Sequence, residues 1–244
     1  MDIPVFLGLI PTAADIWKEK LTTGTPVMDE GELISQLYES AKVPCVDFEK
    51  VLDAHKDEKI FYRTDQHWTT LGAYYGANAL LEKMKMEPIA EEELTRTVVS
   101  EDFCGTLWSI AGACWMKPDS VETFVPEDGV EVEILRSMEP EKGNMYEWDY
   151  LEKKDKYSFF FGGNAPVLVM KTGHPGPKLL LVRDSYSSEL APLLSLRFSE
   201  IHMVDLRYTR MSMQEYAREH EIDATAVVYG IKTFTEDSNV VFMN

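Results

Sequence analysis

The chain has 244 residues, 45% of them hydrophobic, which is enough to bury a sizeable core in one large domain or two small ones. Its 42 acidic residues against 24 basic ones give a formal charge of -18, and no Lys/Arg cluster offers the basic patch a polyanion requires, so nucleic acid is excluded as a partner. Three cysteines are too few for a disulfide framework and lack the CxxC spacing of a zinc site, although Cys104 and Cys114 could close a small loop in an exported protein.

Residues 4–10 form a short apolar run ended by Pro11, the pattern of a strand buried on both faces of a parallel sheet. Leu33, Ile34, Leu37, Tyr38 and Ala41 then fall at helical spacing behind acidic Asp29 and Glu30. VPCVDF (43–48) reads as a second strand with Cys45 in the core, EKVLDAHK (49–56) as a short helix, and KIFYR (59–63) as a third strand leading into Asp65. Strand, helix, strand, helix, strand is the rhythm of a βαβ sheet, whose ligands bind beyond the carboxyl ends of the strands. Thr69 or Thr70 can cap the next helix. Its Gly72 and Gly76 cost roughly 1 kcal/mol each relative to alanine, which predicts close packing against the sheet.

From residue 87 to 178 the pattern changes. TRTVV (95–99), VETFVPE (121–127), VEVEILR (130–136), YSFFFGG (157–163) and PVLVMKT (166–172) read as short, mainly antiparallel strands of a β-rich insertion or subdomain. It carries Trp108, Trp115, Trp148, Tyr146 and Tyr150, rings that either stack on sugars or fill a core. The βα rhythm returns with LLLV (179–182), a turn at 183–186, and a helix from Ser188 in which Pro192 fits only near the first turn. IHMVDLRY (201–208), SMQEYAREH (212–220) and ATAVVYGI (224–231) read as strand, helix and strand, before a polar stop with a short apolar end. No run is long and apolar enough to span a membrane. The first residues lack the basic start of a signal peptide, and the expectation is that an export signal or anchor lies upstream of Met1.

The chemistry concentrates in two stretches. In TDQHW (64–68) the carboxylate of Asp65 stands two residues from the imidazole of His67, on the same side of an extended segment. There it can fix the ring's tautomer and support its imidazolium. Ser185 sits on a strand-to-helix turn, where a hydroxyl is exposed and a helix N-terminus offers donors to an oxyanion. Each has a simpler alternative: His67 as a buried histidine satisfied by Asp65 or a metal ligand with His174 or His202, and Ser185 as an N-cap.

In order along the chain, TDQHWTTLGAYYGANAL, FCGTL, FFFGGN, LLLVRDSYSSELAPLL, HMVDLRY and YGIKTF resemble the blocks of the DHHW protein family, itself similar to the SGNH-hydrolase-like domains of periplasmic alginate O-acetyltransferases. The resemblance spans nearly the whole chain. It implies one flavodoxin-like α/β/α three-layer domain over residues 1–244, in a circularly permuted order with the histidine 118 positions before the serine. It further implies Asp65 as acid, His67 as base and Ser185 as nucleophile, with no metal or organic cofactor.

Two positions depart from the pattern: Gln66, where the family name has a histidine, and Arg183, where a GDS turn has glycine. Gln66 is expected to be tolerated. Arg183 is expected either to bind an anionic substrate or to block the pocket. Gly163 and Asn164 are the candidate oxyanion donors, with a plain β-turn as the alternative. Trp68, Tyr186 and Arg207 complete the candidate substrate residues.

The function so implied is a serine-dependent O-acyltransferase or acetylesterase acting on cell-envelope carbohydrate. It would use an acyl donor and a possible membrane acyltransferase partner. The alternative is a non-catalytic envelope protein that binds carbohydrate in the same cleft.

Overall fold

The computed structural model describes residues 3–136 and 139–242. Met243 and Asn244, the end of the apolar tail, lie outside the described residues. The strands are β1 (Val5–Ile10), β2 (Cys45–Val46), β3 (Thr97–Phe103), β4 (Asp119–Thr123), β5 (Glu131–Leu135), β6 (Glu141–Gly143), β7 (Val167–Lys171), β8 (Lys178–Arg183), β9 (Glu200–Val204) and β10 (Ala224–Gly230). The helices are α1 (Ala13–Ile16), α2 (Glu30–Ser40), α3 (Phe48–Ala54), α4 (Thr70–Lys83), α5 (Thr106–Ala111), α6 (Ser187–Leu194), α7 (Met213–Glu219) and α8 (Ile231–Glu236).

Eight strands form one mixed sheet in the order β2-β1-β10-β8-β9-β7-β5-β6. The first five are mutually parallel, and β7, β5 and β6 continue the edge antiparallel. Alternation along the strands divides the core in two. Leu179 and Leu181 of β8 face a cluster with α3, α4 and α6, while Leu180 and Val182 face one with α2, α7 and α8. The result is an α/β/α sandwich of three layers.

Asp29 and Ser212 cap α2 and α7 through the amides of Glu32 and Glu215, and Thr69 rather than Thr70 caps α4. The glycines of α4 pack closely, but not against the sheet. A Cβ on Gly72 would meet the Ile60 carbonyl at 2.3 Å, and one on Gly76 the Trp68 ring at 2.8 Å. The helix is thereby pressed onto the segment that carries Asp65 and His67.

Several sequence expectations are corrected. Residues 59–63 are not a strand: Ile60, Phe61 and Tyr62 are all buried, and a single antiparallel bridge joins Phe61 to Trp68. Their backbone folds back on the same loop instead of joining the sheet, with the Tyr62 amide on the His67 carbonyl at 3.2 Å and the Thr69 amide on the Ile60 carbonyl at 3.0 Å. YSFFFGG is a 3-10 turn over Tyr157–Phe159, followed by Phe161, Gly162 and Gly163 at φ 59°, 68° and 87°, a left-handed run closed to a strand. In the β-rich stretch only β3 and β4 form a separate ribbon, while β5, β6 and β7 belong to the main sheet. The Asp205–Tyr208 segment turns out of β9, with the Tyr208 amide on the Asp205 carbonyl at 3.1 Å. Pro192 lies in the second turn of α6, where it withholds the amide that would reach Ser188. Cys45 is half-buried, and all three cysteines are free thiols.

Candidate active site

The segment 60–70 owes its shape to polar side chains around it. Asp119, at the start of β4, accepts the amides of Arg63 and Thr64 at 3.0 and 2.8 Å, the Thr64 hydroxyl at 2.7 Å and the Arg63 Nε at 2.9 Å. The Trp68 indole donates to the Tyr186 carbonyl at 2.9 Å, and the Tyr186 hydroxyl donates back to the Gln66 carbonyl at 2.6 Å. The loop is therefore stitched on one side to the β3–β4 ribbon and on the other to the turn after β8.

Asp65, His67 and Ser185 come together. Asp65 Oδ1 lies 2.5 Å from His67 Nδ1, and His67 Nε2 lies 2.8 Å from Ser185 Oγ. An ionised carboxylate only accepts, so Nδ1 carries the proton and Nε2 is left as the acceptor for the serine hydroxyl. The ring is sandwiched: Tyr157 stacks on it at 3.9 Å with planes 5° apart, and Tyr186 meets it edge-on at 4.9 Å.

Burial alone would raise the Asp65 pKa. The hydrogen bond and charge of His67, with the amides of Thr106 and His67, outweigh it and hold the carboxyl below its usual range. The Thr106 amide, at the start of α5, reaches Oδ2 at 2.8 Å. Residue 105 has to be glycine for that approach, since a Cβ there would sit 2.3 Å from the same oxygen.

Ser185 is the one partly exposed residue between Leu179 and Leu194, apart from the walls buried around it. It opens onto a cleft of about 510 Å³ that Asp65, His67, Asn164, Tyr157 and Arg207 also line. Among the described residues no hydrogen bond uses the Ser185 amide, so that donor is free at the N-terminal end of α6. Its carbonyl accepts from Tyr157 Oη at 2.9 Å. Burial pushes the Tyr157 phenol well above its ordinary pKa, keeping it a proton donor. Asp184 is wholly buried and spends its two oxygens on the amides of Tyr186 and Gly230, each at 3.0 Å. It builds the turn rather than joining the chemistry.

The remaining sequence candidates divide. Arg207 lines the cleft with its Nε and Nη2 held by Asp205 at 2.9 and 2.6 Å. Gly163 lines it too, but its amide donates to the Phe160 carbonyl at 3.2 Å and is not free for an oxyanion. Trp68 and Tyr186 are buried supports of the loop, outside the cleft wall. Arg183 neither binds within the cleft nor blocks it: its side chain is wholly buried behind the wall, where Nη1 donates to Asn164 Oδ1 at 3.2 Å.

The aromatic walls are Tyr157, Phe103 and Phe160. Of the two alternatives for Trp108, Trp115, Trp148, Tyr146 and Tyr150, stacking on sugars in this cleft is not met, since none of them lines it. Trp115 and Trp148 are exposed elsewhere, and Tyr146 is buried against Phe159. His202 is no partner of His67, since Tyr216 Oη at 2.8 Å and Glu200 Oε1 at 3.0 Å engage its two nitrogens. No group of three or more His, Cys, Asp or Glu side chains is arranged to hold a metal among the described residues.

Sequence reasoning missed Gly105, Thr106 and Tyr157. FCGTL marked the first two without a role, and nothing local to Tyr157 announces a ring that stacks on an imidazole 90 positions earlier in the chain.

The profile of a family described as SGNH hydrolase-like domain, acetyltransferase AlgX, matches residues 3–134, just over half of the chain. A DHHW family protein from Eubacterium siraeum superimposes with a TM-score of 0.81 at 21% identity, over 98% of this chain and 81% of its own. Bacillus cereus PatB1 with a sulfonyl adduct gives 0.80 at 16% identity, over 99% and 85%. The O-acetyltransferase domain of Pseudomonas putida AlgJ gives 0.56 at 15% identity, over 99% and 80%. No curated protein matches in sequence. At these identities the structural likenesses establish the fold.

Proposed function

Since the chain belongs to the family of SGNH hydrolase-like domains described as acetyltransferase AlgX, we propose that it is a serine-dependent O-acyltransferase or acetylesterase acting on carbohydrate of the cell envelope. The observation that carries this is the unbroken relay from Asp65 through His67 to Ser185, at 2.5 and 2.8 Å, ending on a hydroxyl open to a cleft. The whole chain is taken as one SGNH-like unit, with residues 87–178 an insertion that supplies one wall of that cleft.

In this reading His67 Nε2 takes the Ser185 proton as Oγ attacks the acyl carbonyl. The oxyanion is met by the Ser185 amide and the Asn164 side chain, and each such donor is worth about 10²–10³ in rate. His67 returns the proton to the departing donor group, leaving an acyl-serine. A sugar hydroxyl or water then gives its proton to His67 and attacks the acyl carbon, and Ser185 leaves with that proton. Transfer and hydrolysis differ only in which acceptor arrives. Asp65 stays ionised throughout and holds the imidazolium. Placement at the cell envelope, and an acyl donor supplied by a membrane acyltransferase partner, belong to the same proposal. Arg183, wholly buried outside the pocket, does not block the cleft against this chemistry.

An aryl sulfonyl fluoride tests the reading, the class of adduct borne by PatB1. Intact mass should rise by one sulfonyl group in the wild type and not in Ser185→Ala, with His67→Ala strongly slowed. Turnover of 4-nitrophenyl acetate should follow the same order while the melting temperatures hold. Equal labelling or equal turnover in the wild type and Ser185→Ala would sink the proposal.

A further inference from the structure

The geometry points to Arg183 as the positioning residue that turns the Asn164 carboxamide so that its NH₂, not its oxygen, faces the reacting carbonyl. This rests on the acyl-transfer reading above. It also gives a use to the arginine that stands where the related turn has glycine.

A guanidinium has five donors and no acceptor. The Asn164 atom 3.2 Å from Arg183 Nη1 is therefore the carbonyl oxygen. With Oδ1 turned inward, Nδ2 is turned the other way, on a residue that lines the cleft together with Ser185. No hydrogen bond among the described residues occupies Nδ2. The distinction matters for catalysis. An exposed asparagine free to rotate about its last torsion presents oxygen as readily as nitrogen, and an oxygen there would repel the charge that develops on the substrate carbonyl.

The same nitrogen of Arg183 also donates to the Asp184 carbonyl at 3.3 Å, one residue before the nucleophile. One rigid, wholly buried group thus joins the Ser185 turn to the loop bearing Asn164. The loop itself has little freedom to correct a misplaced side chain. Phe161, Gly162 and Gly163 hold φ of 59°, 68° and 87°, a Cβ on Gly163 would meet Ser158 Oγ at 2.8 Å, and the Gly163 amide is spent on Phe160. With that amide committed, the donor set reduces to the Ser185 amide and Asn164, and Asn164 is the one whose direction another side chain decides. Glutamine in place of Arg183 could offer its oxygen instead of a donor, whereas the guanidinium can only donate.

The test is a cycle on kcat and KM for 4-nitrophenyl acetate with Asn164→Ala, Arg183→Met and the double variant, alongside Asn164→Asp. Asn164→Ala is expected to lower kcat about 10²-fold. Arg183→Met should lower it 10- to 10²-fold with KM within about threefold, and the double variant should be no worse than Asn164→Ala, because one function is being removed twice. Asn164→Asp keeps an acceptor for Arg183 but has no donor. It should melt no lower than the wild type and still lose at least as much kcat as Asn164→Ala, an arm that decides the matter even where Arg183→Met fails to fold.

Multiplying losses in the double variant, or full kcat in Asn164→Asp, would overturn the role of Arg183 while leaving the acyl-serine reading intact. A wild type that no sulfonyl fluoride labels at Ser185 would fail earlier, taking both proposals with it.

Discussion

Gly105→Ala is the sharpest test of how Asp65 is held. A Cβ built on Gly105 lies 2.3 Å from both Cβ and Oδ2 of Asp65, and its closest atoms belong to a side chain with no free space, 2% exposed. Ordinary carbon–oxygen contact needs more than about 3 Å, so the carboxylate or the start of α5 must move by roughly 1 Å. Moving the carboxylate away from residue 105 breaks its bond to the Thr106 amide at 2.8 Å and stretches the 2.5 Å bond to His67 toward the limit of a hydrogen bond. A misplacement of 1 Å costs about 10²-fold in rate. Overpacking costs about 1–3 kcal/mol, or roughly 2–12 °C in Tm for a chain of this size.

The expected outcome is therefore a kcat for 4-nitrophenyl acetate down about 10²-fold in a protein that still melts cooperatively. Gly112→Ala is the control. Its φ of 61° at the end of α5 adds strain, but its Cβ would meet nothing within 4 Å, so stability falls slightly and kcat stays. A Gly105→Ala enzyme that melts lower but turns over at the wild-type rate would refute the claim that the placement of this carboxylate matters.

Two further outcomes follow from the same geometry. Gln66 serves the site through its backbone carbonyl, which accepts from Tyr186, so Gln66→His should keep sulfonyl-fluoride labelling of Ser185 within about threefold, roughly 0.6 kcal/mol; a loss of tenfold or more would give the side chain a role. Glu189 is wholly buried, its Oε1 accepting from Tyr62 at 2.6 Å and Thr70 at 3.1 Å, and burial raises its pKa well above 4.5. The native state then keeps a proton that the unfolded chain releases above pH 4.5, so this group's contribution to stability is complete below that pH and declines as pH rises. Glu189→Gln, neutral at every pH and still an acceptor, should gain on the wild type by about 1.4 kcal/mol, roughly 3–6 °C in Tm, for each pH unit between 4.5 and the raised native value. Parallel Tm curves would show that Glu189 is not held protonated.

What the sequence disclosed depended on how local the determining forces are. β1, β8 and β10 read as strands because unbroken apolar runs have no other stable place than a sheet covered on both faces. Asp65 and His67 read as a pair because their spacing alone brings them together. Residues 59–63 misled because Ile60, Phe61 and Tyr62 satisfy the composition of a strand, while the backbone of Ile60 and Tyr62 is claimed by Thr69 and His67 and that of Arg63 by Asp119, 56 positions away. FFFGG misled for a different reason. Its glycines did signal positive φ, but Phe161 takes the same conformation only because packing in the core pins it there. The charge of Arg183 points to an anion ligand and its length to a blocked pocket, and only the depth of its burial separates both from a contact with Asn164.

The distance from His67 to Ser185 is fixed by more than the two residues that define it. Tyr62 and Thr70 bond Glu189, the Trp68 indole bonds the Tyr186 carbonyl, and the Tyr186 hydroxyl bonds the Gln66 carbonyl, across sequence separations of 127, 119, 118 and 120 residues in that order. The His67–Ser185 bond, separated by 118, is one rung of this seam between the loop ahead of α4 and the first turn of α6. Rungs on both sides of it leave the imidazole and the hydroxyl little freedom to drift apart, and stacking on Tyr157 removes the ring's remaining rotation. In the proposed role of base, an imidazole held in this way needs no reorganisation when charge develops, which is where an acyl-transfer site gains most of its advantage over water. It follows also that the order of His67 and Ser185 along the chain is immaterial to their meeting, since the seam depends on which segments lie side by side and not on which is made first.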